Sequence, residues 1–113
     1  MIKTKSVYEE KEEGDGLRVL VMRRWPRGIK RDHIDLWTRD LGPSLELLAD
    51  WNGKKIAWEE YERRYMEEMR AKGDLLAELV AMARDRDITI LCWERSDEHC
   101  HRRLLKGLLE ARS

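Results

Sequence analysis

The chain has 113 residues, of which 42% are hydrophobic and 41% are charged. One domain of about 100–200 residues fits this length, so we expect a single domain over residues 1–113 and exclude a second core. The 23 basic and 23 acidic residues cancel, which excludes a global field that would attract nucleic acid or an anionic membrane. Dense charge of both signs is also typical of thermophile surfaces.

Targeting signals are missing from the sequence. No apolar run approaches the roughly 18 residues of a membrane span, and the N-terminus lacks the apolar segment of a signal peptide. The two cysteines, Cys92 and Cys100, do not make a disulfide framework. The sequence therefore predicts a cytoplasmic protein with reduced thiols and no membrane partner, and it leaves the oligomeric state undefined.

Two strands are predicted in the N-terminal part of the chain. Residues 2–8 alternate weakly between apolar and polar side chains, which indicates an edge strand. An acidic turn at residues 9–16 ends in Gly-Asp-Gly, a sequence that suits a positive φ. Residues 17–22 are a short apolar run, typical of a buried strand. Because the link is too short for a helical crossover, the pattern favours an antiparallel pair.

Three helices are predicted in the middle of the chain. Pro43 and Ser44 open a short helix, with proline in the first turn, where its missing N–H costs nothing. Apolar residues recur at helical spacing over residues 58–72, and Gly73 then suits the position just beyond a helix end. Asp74 is predicted to be the N-cap of a third helix.

The C-terminal part of the chain completes the fold prediction. Residues 88–92 are apolar on both faces, as expected of a central strand. This strand and the one ending near Val21 are predicted to be parallel neighbours, and Ser96 is predicted to cap the last helix. Strands separated by helices indicate an α/β domain. We expect a small, mostly parallel sheet of three strands or slightly more, flanked by about four helices.

The first candidate site motif is basic. Ligands bind at the carboxyl ends of strands in open α/β sheets, and residues 23–31 follow the second predicted strand with five basic side chains. One interpretation is a phosphate or carboxylate clamp formed by Arg23 and Arg27, with Trp25 as a stacking surface. The alternative is a solvated loop whose arginines pair with Asp40 or with the acidic turn.

The second candidate motif begins at Cys92, where the central strand ends. With Ser96 as N-cap, the residues that follow lie in the first helical turns, beside free N–H groups and the positive end of the helix dipole. This position suits an anion, with Arg102 as a clamp. His99 would act as acid or base, and Cys92 or Cys100 as a thiolate nucleophile.

Both thiols also have a packing interpretation, which the sequence favours. Cys100 lies in line with Leu104 and Leu108 at helical spacing, so it fits a small core residue. Cys92 shares a sheet face with Ile90 and fits core packing in the same way.

A metal site has weak support in the sequence. His99 and His101 point about 200° apart on a helix, so they do not easily share one ion. We therefore predict no metal ligands, although two cysteines and two histidines offer donors suited to zinc. The sequence names no cofactor.

The sequence resembles the YeaO-like branch of the domain-of-unknown-function 488 family. The matching segments, in order along almost the whole chain, are residues 21–28, 35–44, 58–65 and 97–101. The resemblance implies a small α/β domain of unassigned function. The cysteines, with the Cys-His-Arg sequence at 100–102, are similar to shorter members of the wider family. The motif residues carried over by matching position are Arg23, Trp25, Pro26, Arg27, Gly28, Asp35, Trp37, Asp40, Pro43, Ser44 and His99. The residues predicted to bind the ligand are Arg23, Trp25, Arg27, Asp40, Ser44 and Arg102.

Three hypotheses about function follow. The first is a site for an anionic or phosphate-bearing small molecule, such as a nucleotide, at the strand carboxyl ends; whether it is catalytic is left open. The second is a non-catalytic nucleic-acid or protein-binding module that uses residues 23–31, which zero net charge disfavours. The third is a redox sensor that uses Cys92 and Cys100.

Overall fold

The computed structural model describes residues 1–96 and 98–112. Within these residues a sheet of four parallel strands has the order β1-β4-β2-β3. The strands are β1 (Ile2–Ser6), β2 (Leu17–Leu20), β3 (Leu36–Trp37) and β4 (Ile88–Cys92). The α-helices are α1 (Leu45–Asn52), α2 (Trp58–Met69), α3 (Gly73–Asp85) and α4 (His101–Arg112). The predicted α/β class, with a mostly parallel sheet, is confirmed.

Strand β4 is central, as predicted. Each of its five residues is buried, and it pairs in parallel with β1 on one side and β2 on the other. A strand that is apolar on both faces is fully buried only when it lies between two other strands and both faces of the sheet are covered. The carboxyl ends of β2 and β4 therefore meet at one edge of the sheet, where Val21 N–H donates to the Leu91 carbonyl at 3.0 Å.

The predicted antiparallel pairing of the first two strands is wrong. Strands β1 and β2 both run parallel to β4, which lies between them. The link at residues 7–16 is long enough to return along a strand of about 17 Å without a helix, and it contains only a 3-10 turn, Glu13–Asp15. The carbonyl of Asp15 accepts from Thr89 Oγ1 at 2.7 Å, which holds the link against β4.

Three predicted helix ends are corrected. Ser44 is the N-cap of α1, and Pro43 therefore lies just before the helix rather than in its first turn. Gly73 has φ −52° and begins α3, because a 3-10 turn (Arg70–Lys72) joins α2 to α3 without a left-handed residue. Asp74 is consequently inside the first turn of α3 and is not its N-cap.

The predicted cap of the last helix is also wrong. Helix α4 begins at His101, and Ser96 lies in the preceding loop, where its hydroxyl accepts from the Glu98 N–H at 3.1 Å. The described residues between β4 and α4, 93–96 and 98–100, therefore belong to no helix. Asp97, in the last segment of the family resemblance, lies outside the described residues.

The two faces of the sheet are covered differently. Side chains from all four α-helices pack on one face, around Val19, Ile88 and Ile90. The opposite face carries Leu20 and Leu91 and is covered by side chains of residues 22–37, without an α-helix. Alternation along β4 puts Cys92 on the helical face with Ile88 and Ile90. Among the described residues, no helix is both long and apolar enough to cross a membrane.

Candidate functional site

Two cysteines and one histidine meet at the carboxyl end of β4. Cys92 ends the strand, and the loop that follows brings Cys100 and His101 back to it. The three residues are 1%, 2% and 5% exposed, respectively. Their two sulfurs and one ring nitrogen all lie within 4.8 Å of one another. We call Cys92, Cys100 and His101 the Cys-Cys-His cluster.

The imidazole of His101 is held in one orientation. Its Nε2 lies 2.6 Å from the carbonyl oxygen of Val21, at the end of β2. A carbonyl only accepts, so Nε2 carries a hydrogen and the neutral ring leaves a lone pair on Nδ1. Nδ1 lies 3.8 Å from the Cys92 sulfur and 4.0 Å from the Cys100 sulfur. The lone pair therefore faces both thiols.

The pKa values of the two thiols are shifted in opposite directions. A hydrogen bond from Cys100 lowers the pKa of Cys92 against the opposing effect of burial, and the backbone N–H groups of Glu94 and Trp93 and the charge of Arg102 act in the same direction as Cys100. The same hydrogen bond, together with burial, raises the pKa of Cys100. Of the two thiols, Cys92 therefore loses its proton more readily.

Arg102 lies beneath the loop and supports it. Its guanidinium is 1% exposed and donates to the carbonyls of Cys92 and Glu94. These bonds direct the side chain to the loop backbone rather than to open solvent. The charge of Arg102 helps to lower the pKa of Cys92, and its role as a clamp for a bound anion stays a prediction.

A small cavity of about 20 Å³ adjoins the cluster. It has room for roughly one water molecule. Burial raises the pKa of Glu94, one of the residues that line it. His99 also lines it, and its ring stacks on Trp58 with centroids 4.8 Å apart. The full lining is Leu48, Trp51, Asn52, Tyr61, Cys92, Trp93, Glu94, His99, Cys100 and His101.

The three side chains predicted to be catalytic are brought together. His99, Cys92 and Cys100 all border this cavity. His101 and Glu94, which were not predicted to belong to the site, lie there too. His99 and His101 were predicted to point apart on one helix and so not to share a metal, whereas α4 begins only at His101. The available signal was a Cys-His pair that follows a buried strand ending in cysteine.

Five of the predicted ligand-binding side chains, in the first motif and at Asp40 and Ser44, do not join the cluster. Arg23 donates to the Asp40 carboxylate at 3.2 Å and to the Gly42 carbonyl at 3.0 Å. Ser44 donates to the Glu68 carboxylate at 2.5 Å and caps α1. The Arg23 contacts join the segment after β2 to the segment before α1. The Ser44 contact joins the start of α1 to α2.

Trp25 and Arg27, also predicted to bind the ligand, lie away from the Cys-Cys-His cluster. Trp25 packs on the helix-free face of the sheet, where Nε1 donates to the Ile29 carbonyl at 2.7 Å and the ring meets Trp37 edge-on. Arg27 is exposed, and its carbonyl accepts from the Tyr8 hydroxyl. A ligand role for Arg23, Trp25 and Arg27 stays a prediction.

Fold and site together define a small parallel α/β protein with a buried Cys-Cys-His cluster at the end of its central strand. A protein-family model described as DUF488-N3a, "Active DUF488-N3 subclade", matches residues 2–113, and the chain belongs to this family. The recognition made from the sequence is thus confirmed.

Curated relatives cover nearly the whole chain. It is 30% identical over 112 residues to "Uncharacterized protein YeaO" of Escherichia coli (strain K12), which covers 97% of each protein. It is 33% identical over 113 residues to "Uncharacterized protein Mb3100c" of Mycobacterium bovis and to "Uncharacterized protein Rv3073c" of Mycobacterium tuberculosis, with 98% of this chain and 95% of each relative covered. No solved structure matches the chain.

Proposed function

We propose that this protein is a thiol-dependent redox protein in which Cys92 is the attacking thiolate and Cys100 the resolving thiol. The observation that carries the proposal is the juxtaposition of the two sulfurs and the His101 ring nitrogen within 4.8 Å. A low-pKa thiolate beside a protonated second thiol is the arrangement that such chemistry requires. The word "Active" in the description of the family is consistent with chemistry at this site.

The proposed reaction consumes a hydroperoxide. The Cys92 thiolate attacks the peroxide oxygen, the O–O bond breaks, and the leaving alkoxide or hydroxide takes a proton, so Cys92 becomes a sulfenic acid. The Cys100 sulfur then attacks the Cys92 sulfur and displaces the hydroxyl group, which leaves as water with the Cys100 proton. His101 Nδ1 faces Cys100 at 4.0 Å and is placed to relay that proton.

The size of the cavity favours a small co-reactant. About 20 Å³ next to the sulfurs suits a molecule not much larger than water. Hydrogen peroxide meets this limit, whereas a nucleotide would need the loop after β4 to open. Small hydroperoxides are therefore the favoured substrate class.

An anionic or phosphate-bearing small molecule at the same strand ends is the second candidate. The N–H groups of Trp93 and Glu94 and the buried Arg102 cation support it, because they favour negative charge at this point. Phosphate and nucleotides should then raise the melting temperature of wild-type protein, whereas an unchanged melting temperature with every anion would exclude this candidate. Nucleic-acid or protein binding through residues 23–31 stays a separate, less favoured proposal.

Peptide mapping after mild oxidation tests the redox proposal. Reduced wild-type protein treated with one equivalent of hydrogen peroxide should lose two hydrogens and yield a Cys92–Cys100 linked peptide. Cys100→Ser should stop at a sulfenic acid on Cys92 that dimedone traps, and Cys92→Ser should react far more slowly. Two unmodified thiols in the folded wild-type protein, or equal reaction of both serine variants, would refute it.

A further inference from the structure

We propose that the reduced Cys-Cys-His cluster binds a soft divalent cation of the Zn²⁺ class, with Cys92, Cys100 and His101 as three ligands and solvent as the fourth. The inference deepens the proposed function, because it uses the same two sulfurs in their reduced form. It assigns a ligand to the site that the sequence analysis had not predicted.

The donor set matches the preferences of zinc. Thiolate and imidazole are the ligands that Zn²⁺ favours in tetrahedral sites, with Zn–S about 2.3 Å and Zn–N about 2.0–2.1 Å. That geometry puts sulfur and nitrogen ligands about 3.6 Å apart. The observed separations between Nδ1 of His101 and the sulfurs are 3.8 Å to Cys92 and 4.0 Å to Cys100. The nitrogen–sulfur separations therefore exceed the zinc-bound values by a few tenths of an ångström, and the two sulfurs, which lie within 4.8 Å of each other, must approach to about 3.8 Å.

The surroundings of His101 suit a metal ligand. Histidines that bind metals usually donate their second ring N–H to a carbonyl or a carboxylate, which fixes the ring and its tautomer. Nε2 of His101 does so to Val21 at 2.6 Å, and the lone pair of Nδ1 faces the sulfurs. The ring is thus oriented for metal binding before any ion arrives.

Charge balance also favours a cation at this point. Two thiolates and a neutral imidazole around a divalent ion sum to zero, and a neutral set is the least costly one to bury. Without the ion, the cluster holds two cysteine side chains that are almost fully buried. A soft dication therefore lets the second thiol ionise without leaving uncompensated charge in the interior.

The cavity supplies the fourth position. It borders all three ligands and holds roughly one water molecule. The Glu94 carboxylate lines the same space and can accept a hydrogen bond from a metal-bound water. His99, by contrast, is stacked on Trp58 and lies outside the group of converging donor atoms.

Metal binding and disulfide formation exclude each other at this site. The sulfur lone pairs that bind the ion are the ones that attack a peroxide or the partner sulfur. Bound Zn²⁺ should therefore slow oxidation of the pair severalfold, and oxidation should release the ion. The cluster would then couple metal release to the redox state.

Titration of the full, reduced, metal-free chain with Co²⁺ and then Zn²⁺ tests the inference. We expect one equivalent of Co²⁺ to give a thiolate-to-cobalt charge-transfer band and the intense visible bands of a tetrahedral site, and Zn²⁺ to displace it. Cys92→Ser and Cys100→Ser should weaken Co²⁺ binding at least tenfold, whereas the control His33→Gln, at a histidine outside the cavity lining whose Nε2 lies 3.0 Å from the Val7 carbonyl, should bind like wild type. Circular dichroism of each variant confirms that it is folded.

The outcomes separate the two proposals. Absence of a charge-transfer band in folded, reduced wild-type protein, equal binding by Cys92→Ser, or loss of binding in His33→Gln would overturn the metal assignment. Metal binding without peroxide-driven disulfide would support this inference and remove the redox function. Formation of the disulfide in a protein that binds neither Co²⁺ nor Zn²⁺ would support the redox function and remove this inference.

Discussion

Cys92 is stabilised as an anion mainly by one neighbouring side chain. The hydrogen bond from Cys100 is the largest contribution to its lowered pKa, and burial works against it. The lowered pKa of Cys92 therefore depends on both cysteines. This makes Cys100 more than a packing residue, although it is almost fully buried, as the packing interpretation predicted.

Replacement of Cys100 by alanine should raise the pKa of Cys92. The substitution removes the hydrogen bond from Cys100, which is the largest cause of the lowered pKa, and leaves burial, which raises it, less opposed. The pH dependence of Cys92 alkylation by iodoacetamide measures the change. Cys100→Ser, which keeps a donor, should show a smaller rise. An unchanged midpoint in Cys100→Ala would contradict the assigned hydrogen bond.

Arg102 should matter for stability, and Arg27 should not. Arg102→Met removes the donor to the Glu94 carbonyl, at a cost of about 1–3 kcal/mol, whereas the Cys92 carbonyl keeps its bond from the Val7 N–H at 2.8 Å. Arg27 is exposed, so Arg27→Met should change the free energy of unfolding by less than about 0.5 kcal/mol. Urea denaturation of both variants measures the difference. Equal stabilities would mean that Arg102 does not hold the loop.

At the scale of elements, the sequence pattern was sufficient where burial alone decides the structure. Strand β4 was predictable because all of its residues are buried, and α2 because Tyr61, Tyr65 and Met69 recur on its buried face. Helix starts were less predictable. Ser44 and Ser96 look alike in sequence, yet only Ser44 caps a helix, because the loop after β4 must first return to the cluster.

That contrast predicts different costs for two similar substitutions. Ser44→Ala removes an N-cap bond to Leu47 and a bond to Glu68, so it should destabilise the protein by about 1–2 kcal/mol. Ser96→Ala should cost less than about 0.5 kcal/mol, because Ser96 is exposed in a loop. Thermal unfolding of both variants distinguishes them. An equal loss would put Ser96 at a helix start after all.

The candidate site was only half predictable for a similar reason. Residues Cys92, Cys100 and His99 could be chosen from chemistry at a strand end, and they border one cavity. The position of His101 depends on where α4 begins and on its bond to Val21, 80 residues away in the chain. Local sequence carries no signal for such a contact.

At the scale of the whole molecule, the link from β1 to β2 holds the N-terminal strand in place. Asp15 lies almost buried within it and pairs with Lys5 at 2.8 Å and with Arg18. Burial acts to raise the pKa of Asp15, but the Lys5 hydrogen bond and the other partners outweigh it, so the pKa falls below its ordinary 3.8. The stability of the fold therefore depends on whether Asp15 is ionised.

The sign of this coupling gives a pH prediction. A carboxylate with a lowered native pKa stabilises the fold above its unfolded pKa of about 3.8, and this contribution is lost as the pH falls through the lower native value. Asp15→Asn should therefore lose stability at pH 7 and show a shallower decline below pH 4 than wild type. Urea unfolding across this range measures both. Parallel curves would rule out this contribution.

The central claim is that His101 and the two thiols share one site with a defined proton arrangement. Nitrogen-15 NMR of the imidazole rings in reduced protein tests it most directly, because the Nδ1 and Nε2 shifts report the tautomer. We predict that His101 is the Nε2–H tautomer and that its Nδ1 resonance shifts in Cys100→Ser and on addition of Zn²⁺. An Nδ1–H tautomer, or an Nδ1 resonance that responds to neither change, would contradict the account.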